Sequence, residues 1–330
     1  MGKPAYKVKI GSATFDSSLD QEIISVRVDL DMDVPSDSFE IAFKPSTKAG
    51  SIRVGDPAVI ELGYDVELNR VLTGSIDVVV ASISQVTISG LSHISSLTRL
   101  KVNQVYTKQN AGNIVRDLAG KAGISTSEDY IHTGLSFPMY TVDDAKDVYT
   151  HMKELALRCG FDLFLRTDGK LVFKKYARQS AKIFEYGLNA MEADVHETVP
   201  AAACVRVFGE SPSSFKGADT AHWLSKRVVE GVAGRGSPTV IVEDPTVRDT
   251  DTADRVAAAL LESMSMTLSG TVKSFGNAGI ALGDTIEIKD MPDSRMNGEF
   301  QATSVSHSFN KAEGFVSVIG WRKRGSASQT

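Results

Sequence analysis

Hydrophobic and polar residues alternate with a period of two through most of the first hundred positions. In "SVRVDLDM", Val26, Val28, Leu30 and Met32 fall on one face of an extended chain and Arg27, Asp29 and Asp31 on the other, the pattern of a strand with one buried side. "YKVKIG", "SFEIAFK", "PAVIELG", "NRVLTGSIDVVVASIS" and "QVTISGLS" are further strand-like runs. Strands so closely spaced, joined by short turns, predict an antiparallel barrel or sandwich over residues 1–100.

After Val105 the period becomes helical. "NAGNIVRDLAGKAG" sets Ile114, Val115, Leu118, Ala119 and Ala122 on one stripe, with Asn110 placed to cap the start and Gly123 to stop the end. "TVDDAKDVYTHMKELALRCG" does the same with Ala145, Val148, Tyr149, Met152, Leu155, Ala156 and Cys159. Asp143 and Asp144 suit the positive end of that helix dipole, and Gly160 ends it. "FDLFLRTDGKLVFKK" predicts a hairpin about Asp168-Gly169. Residues 101–176 therefore read as a compact α/β unit of two helices and a hairpin. From residue 177 to 324 the β pattern returns, broken by one helix, "DTADRVAAALLESMSM", with Val256, Ala257, Leu260, Leu261 and Met264 inward. A polar, Gly-rich stretch precedes that helix and reads as a loop insertion whose Trp223 and Phe215 are candidates to dock on a neighbouring subunit. Residues 325–330 form a polar tail.

Two segments repeat each other. "VGDPAVIEL" (54–62) and "LGDTIEIKD" (282–290) both enter a β-rich run through an apolar-Gly-Asp turn, at Gly55-Asp56 and Gly283-Asp284. Each is followed in the same order by a run around a glycine, Gly74 or Gly298, and another ending near a glycine, Gly90 or Gly320. The expectation is a duplicated β domain: a mainly β protein in which two related antiparallel barrels, 1–100 and 177–324, flank the α/β unit. Glycine permits the turn, and aspartate can bond nearby amides before the strand begins.

Composition narrows the function. A hydrophobic content of 42%, a charged content of 23% and a net charge of -5 describe an ordinary globular protein. The basic clusters "KKYARQ" and "WRKRG" are short and separate, which argues against specific nucleic-acid binding. No apolar run is long enough to span a membrane, and the N-terminus lacks a signal-peptide core, so the chain is expected to be made and folded in the cytoplasm. Cys159 and Cys204 form no metal-type pair and are expected to be free. None of the six histidines has a second His or Cys at ligand spacing, and His151 reads as a packed residue on its helix. "HETVPAAAC" lacks the paired cysteines of a zinc deaminase, "GVAGRG" lacks the spacing of a dinucleotide fingerprint, and no Gly-x-Ser-x-Gly elbow is present. Carboxylate pairs such as Glu243 with Asp244 lie in loop-like text that capping and solvation explain. The reading is of a protein with no catalytic residues, no metal and no cofactor.

"NAGNIVRDLAGKAGI" followed by "YTVDDAKDVYTHMKELALRCGFDLFLRTDGKLVFKK", and later "DTADRVAAALLESM" leading to "SGTVKSFGNAGIALGDTIEI", resembles the phage late control protein D family. That family includes the baseplate hubs of contractile tails and the N-terminal hub part of type VI secretion spike proteins. The resemblance covers about residues 105–324; the first hundred residues match only as a β domain in the expected place. It implies two tube-protein-like barrels and a structural hub. As a homotrimer, such a hub adapts a six-fold tail tube to a three-fold central spike carried on another chain. Implied partners are the tube protein hexamer, the spike trimer, other baseplate proteins, and a tape measure protein or cargo in the lumen. The setting would be a phage tail, a tailocin or an extracellular injection particle. The alternative is a tail-associated peptidoglycan-degrading enzyme.

Overall fold

The computed structural model describes residues 2–19, 21–209 and 229–324; Trp223 and Phe215 lie outside them. The alternating stretch at the start forms β1 (Pro4–Ile10), β2 (Ala13–Asp16), β3 (Ile23–Asp31), β4 (Ser38–Phe43), β5 (Pro57–Tyr64), β6 (Glu67–Ala81) and β7 (Val86–Ser92). These pair in the order β3-β4-β7-β6-β5-β1-β2, every contact antiparallel. Because side chains alternate across the pleat, Val26, Val28, Leu30 and Met32 turn inward as the pattern requires, beside Phe15, Ile41, Phe43, Ile60 and Leu62.

A short helix α1 (Ser95–Arg99) and β8 (Gln104–Asn110) lead into α2 (Ala111–Lys121), β9 (Ser136–Val142), α3 (Val148–Cys159), and the hairpin β10 (Asp162–Leu165) and β11 (Leu171–Lys174). The Asn110 side chain accepts from the Asn113 amide at 2.8 Å, and Gly123, just past the end of α2, has φ +73°. α3 begins later than its sequence suggests. Asp147, not Asp143 or Asp144, supplies the cap by accepting from the Thr150 amide at 2.7 Å, while Asp143 closes a turn onto the Ala145 amide. Gly160, at φ +66°, ends it. His151 is buried on α3, its ring Nε2 2.9 Å from the Asp143 carbonyl.

The chain continues through β12 (Lys182–Glu185), β13 (Ala190–Glu197), β14 (Cys204–Phe208), β15 (Glu230–Gly234), β16 (Thr239–Glu243), α4 (Thr250–Met264), β17 (Leu268–Phe275), β18 (Thr285–Lys289), β19 (Gly298–Asn310) and β20 (Gly314–Arg322). Six of these, in the order β13-β17-β20-β19-β18-β12, make a second β-unit. Antiparallel pairing of β19 with β3 joins it to the first in one large sheet. The molecule is thus mainly antiparallel β with a helical unit inserted between two β-units.

One boundary differs from the sequence expectation. Residues 202–209 and 229–260 were expected within the second barrel, but they pack in a separate core with α1, α2, α3 and the β10–β11 hairpin. β14 there forms a small sheet with β15 and β16, against which α4 lays Ala253, Val256, Ala257 and Leu260. The reason is steric as well as apolar. Gly231 of β15 lies so close to α4 that an added Cβ would fall 2.1 Å from the Ala253 carbonyl carbon, so strand and helix backbones meet with no side chain between them.

Candidate assembly surfaces

The two Gly-Asp turns are the same structure. Gly55 and Gly283 adopt φ of +91° and +81°, a region open to glycine. The Gly55 amide donates to the Ile76 carbonyl, and the Ile76 amide donates back to the Asp56 carbonyl, both at 2.9 Å; Gly283, Ala302 and Asp284 repeat this at 2.9 Å in both bonds. Each aspartate then closes a local turn. Asp56 accepts from the Arg53 amide and Asp284 from the Ala281 amide, both at 2.9 Å through Oδ2.

The equivalence extends strand by strand. Matching β3, β4, β5, β6 and β7 to β13, β17, β18, β19 and β20 carries the β3–β4 and β4–β7 pairings, the β6–β7 pairings from Ser75 to Ala81 and the β5–β6 pairings from Pro57 to Ile60 onto pairings of the second unit. The outer strand differs, β1 running antiparallel to β5 and β12 parallel to β18. Val26 opposite Ile41 becomes Ala193 opposite Val272, and Ala58 opposite Gly74 becomes Ile286 opposite Phe300. Irregularities repeat as well: the bulge between Ile76 and Val78 corresponds to that between Ala302 and Ser304, and that between Ile23 and Ser25 to that between Ala190 and Glu192. Bulges are specific local devices, so their coincidence at matched positions ties the two units together more firmly than strand order alone.

This register corrects the glycine matches read from the sequence. Gly90 corresponds to Trp321, one residue past Gly320, and Gly74 corresponds to Phe300 rather than to Gly298. The physical reason is an exchange of partners across one strand pair. In the first unit the Phe39 ring lies over Gly90; in the second, Trp321 lies over Gly270, the position that matches Phe39. An added Cβ would meet the ring at 2.3 Å in the first case and 2.5 Å in the second. Each pair needs one aromatic and one bare backbone, and either strand can supply either.

The joint between the units is the pairing of β19 residues 304–310 with β3, from Ser304 opposite Asp31 to Asn310 opposite Ser25. His307 is buried there with its Nδ1 2.8 Å from the Ser317 hydroxyl. Phe309 packs edge-on against Tyr6 at 5.2 Å between ring centres, and the Ser306 hydroxyl donates to Asp29 at 2.6 Å. The helical unit meets the second β-unit through a buried polar cluster. Asp162 accepts from Gln301 at 2.6 Å, from Arg322 at 3.0 Å and from Arg324, while Gln301 accepts from Arg324 at 2.7 Å. These charges satisfy one another, as buried ions must.

Among the described residues no group of three His, Cys, Asp or Glu side chains could hold a metal ion, and no helix is long and apolar enough to cross a membrane. Cys159 and Cys204 are free thiols, and burial pushes Cys159 up to about 11, away from thiolate chemistry. The cleft between α3 and α4 contains Lys153, Asp162, Glu262, Arg322 and Arg324, whose ion pairs run to one another, to Asp33 and to Lys175. The sequence reading passed over Ile83, at the β6–β7 turn, which is fully exposed. The signal was present in the unbroken "VVV" of 78–80, where alternation stops although the strand continues.

No protein-family model matches the chain, and no curated protein matches it by sequence. Solved structures do. A 43 kDa tail protein of prophage MuSo2 from Shewanella oneidensis superposes with a TM-score of 0.71 at 14% identity, over 97% of this chain and 98% of that one. A tail protein from Neisseria meningitidis gives 0.73 at 13% identity, over 97% of each chain. An Escherichia coli component of the type VI secretion system, reported as structurally similar to the T4 tail proteins gp27 and gp5, gives 0.61 at 10% identity over 97% of this chain and 79% of that one. The fold of this chain is therefore that of bacteriophage tail proteins.

Proposed function

We propose that the chain is the structural baseplate hub of a contractile injection machine, a homotrimer that joins a six-fold tail tube to a three-fold central spike. The observation that carries this reading is the internal repeat, five strands matched in register and at two bulges within one polypeptide. A tube ring offers six equivalent rims and a spike offers three. Three copies of a chain with two like β-units offer six similar surfaces on one side and three identical ones on the other, and closed symmetry ends the assembly instead of propagating it. The tail-protein fold of the structural neighbours supports the same setting. In this arrangement the helical unit lies outside the ring or toward the spike, because a helical insertion in the rim would break the match between units. The lumen wall is polar and acidic or neutral, letting a tape measure protein or cargo pass without tight binding.

The role is structural, without catalysis. Native mass spectrometry of the purified chain and electron microscopy of the particle test it together. A trimer whose ring shows six similar lobes at the tube–spike junction is expected; another stoichiometry, or a position elsewhere in the particle, overturns it. Hydrolysis of purified cell wall by the isolated chain would favour a tail-associated peptidoglycan-degrading enzyme instead.

A further inference from the structure

The joint between the two β-units has an unpaired counterpart on each of them. β19 pairs with β18 through its first residues and with β3 through its last seven. β6 likewise pairs with β5 through its first part. Its far end, matching the β19 segment that binds β3, pairs with β7 on one side, and no described strand takes the other. β13, the match of β3, pairs with β17 on one side and likewise has no described strand on its other. The side chains agree with the ladders. At the joint Val26, Val28 and Val305 are buried, whereas their matches at the free edges, Ala193, Val195 and Val79, are only half-buried, and Ile83, the match of Phe309, is fully exposed.

We propose that the free end of β6 in one copy pairs antiparallel with β13 of the next, repeating between copies the β19–β3 joint within each. Carrying the joint's register across the repeat sets Val78 opposite Thr198, Val80 opposite His196 and Ile83 opposite Ala193. Ile83 then takes the place of Phe309, whose ring packs inside the joint against Tyr6. Its destination is already formed: Ala193 lines an apolar groove with Ala190, Met191, Met291 and Met296, and methionine side chains readily shape themselves to an incoming branched residue. The contact is head-to-tail, so successive copies close into a ring or continue as a filament. It also covers two strand edges that would otherwise invite indiscriminate pairing. The strand pairing follows from the repeat; closure at three copies rests on the hub reading above.

The test is cysteine cross-linking of the full chain, with wild type as the oxidation control. A Val80→Cys, His196→Cys variant is expected to give a disulfide-linked dimer and trimer ladder that collapses on reduction. A Val80→Cys, Glu192→Cys variant, four residues out of register, is expected to give none. Ile83→Asp is expected to stay folded by circular dichroism, since the residue is fully exposed in the single chain, and to shift the native mass to monomer. An assembled trimer that shows neither the in-register link nor sensitivity at Ile83 overturns the strand pairing and leaves the hub reading standing. Linking through Glu192 in place of His196 overturns the register. A wild-type chain that stays monomeric at high concentration overturns both.

Discussion

Asp37 precedes β4 with its carboxyl buried, accepting from the Asp31 amide at 3.2 Å and the Ser92 hydroxyl at 3.0 Å. Burial outweighs those bonds and raises it from 3.8 to about 6. The folded chain therefore holds this proton more tightly than the unfolded chain, and stability is lost as pH rises from about 4 to about 6. His307 works in the other direction. Burial lowers it from 6.5 to about 4, so the unfolded chain binds the proton first and stability is lost as pH falls from 6.5 toward 4. Across the shared window the two slopes oppose each other. Asp37→Asn should raise unfolding free energy at pH 7 by roughly 2–3 kcal/mol, at about 1.4 kcal/mol per unit, and should expose the acid limb due to His307. Adding His307→Gln should flatten that limb. Urea titrations at pH 4, 5.5 and 7 check both, and a wild-type profile that Asp37→Asn leaves unchanged would refute the account.

At the scale of elements, the contact of β15 with α4 is the least tolerant packing in the helical unit. Gly231→Ala places a methyl against helix backbone that has no side chain to swing aside, and overpacking of this kind costs about 1–3 kcal/mol. Its unfolding midpoint in urea should fall accordingly, whereas Gly236→Ala, which meets no neighbour but has φ +94°, should show only the milder cost of a strained backbone. This contact also marks where sequence reading stops. Asn110 and the stop at Gly123 were legible because capping is local, and the β3 face was legible because alternation is local. The start of α3 was not, since Asp143, Asp144 and Asp147 are alike as sequence and only the chain path decides which one caps. The placement of residues 202–209 and 229–260 was not legible either: β14 pairs in parallel with β16, and parallel pairing leaves no turn signal to read. The Gly-Asp turns were readable as candidate sites, but their exact match and the one-residue offset of Gly90 needed the register. Trp223 and Phe215 lie outside the described residues.

At the scale of the whole molecule two apolar cores meet along a polar seam and through the β10–β11 hairpin, which gives Phe164 and Val172 to one and Leu163, Leu165, Leu171 and Phe173 to the other; the seam is expected to set whether they unfold together. Asp162 is its centre, joined to Gln301, Arg322 and Arg324 from the second β-unit and its exit. On the first unit's side, Tyr149 donates to the Val34 carbonyl at 3.2 Å and Lys153 to the Met32 carbonyl at 2.6 Å. Replacing a whole buried ion cluster with apolar groups is often neutral, but removing one partner strands the others. Asp162→Ala leaves two largely buried guanidinium groups with only the looser pairs to Asp33 and Glu262, each at 3.8 Å, a change expected to cost somewhat less than the roughly 3–5 kcal/mol of a fully unpaired buried charge. That cost falls on the contact between the units rather than inside either core, so its signature is lost cooperativity. Calorimetry of the wild-type chain should show one transition, and Asp162→Ala should show two, with hydrogen exchange in α2 and α3 rising before exchange in β3 and β19. A single transition at an unchanged midpoint would mean that the apolar contacts flanking the seam couple the units by themselves. Two transitions would identify Asp162 as the group through which the helical unit stays mechanically tied to the β-units.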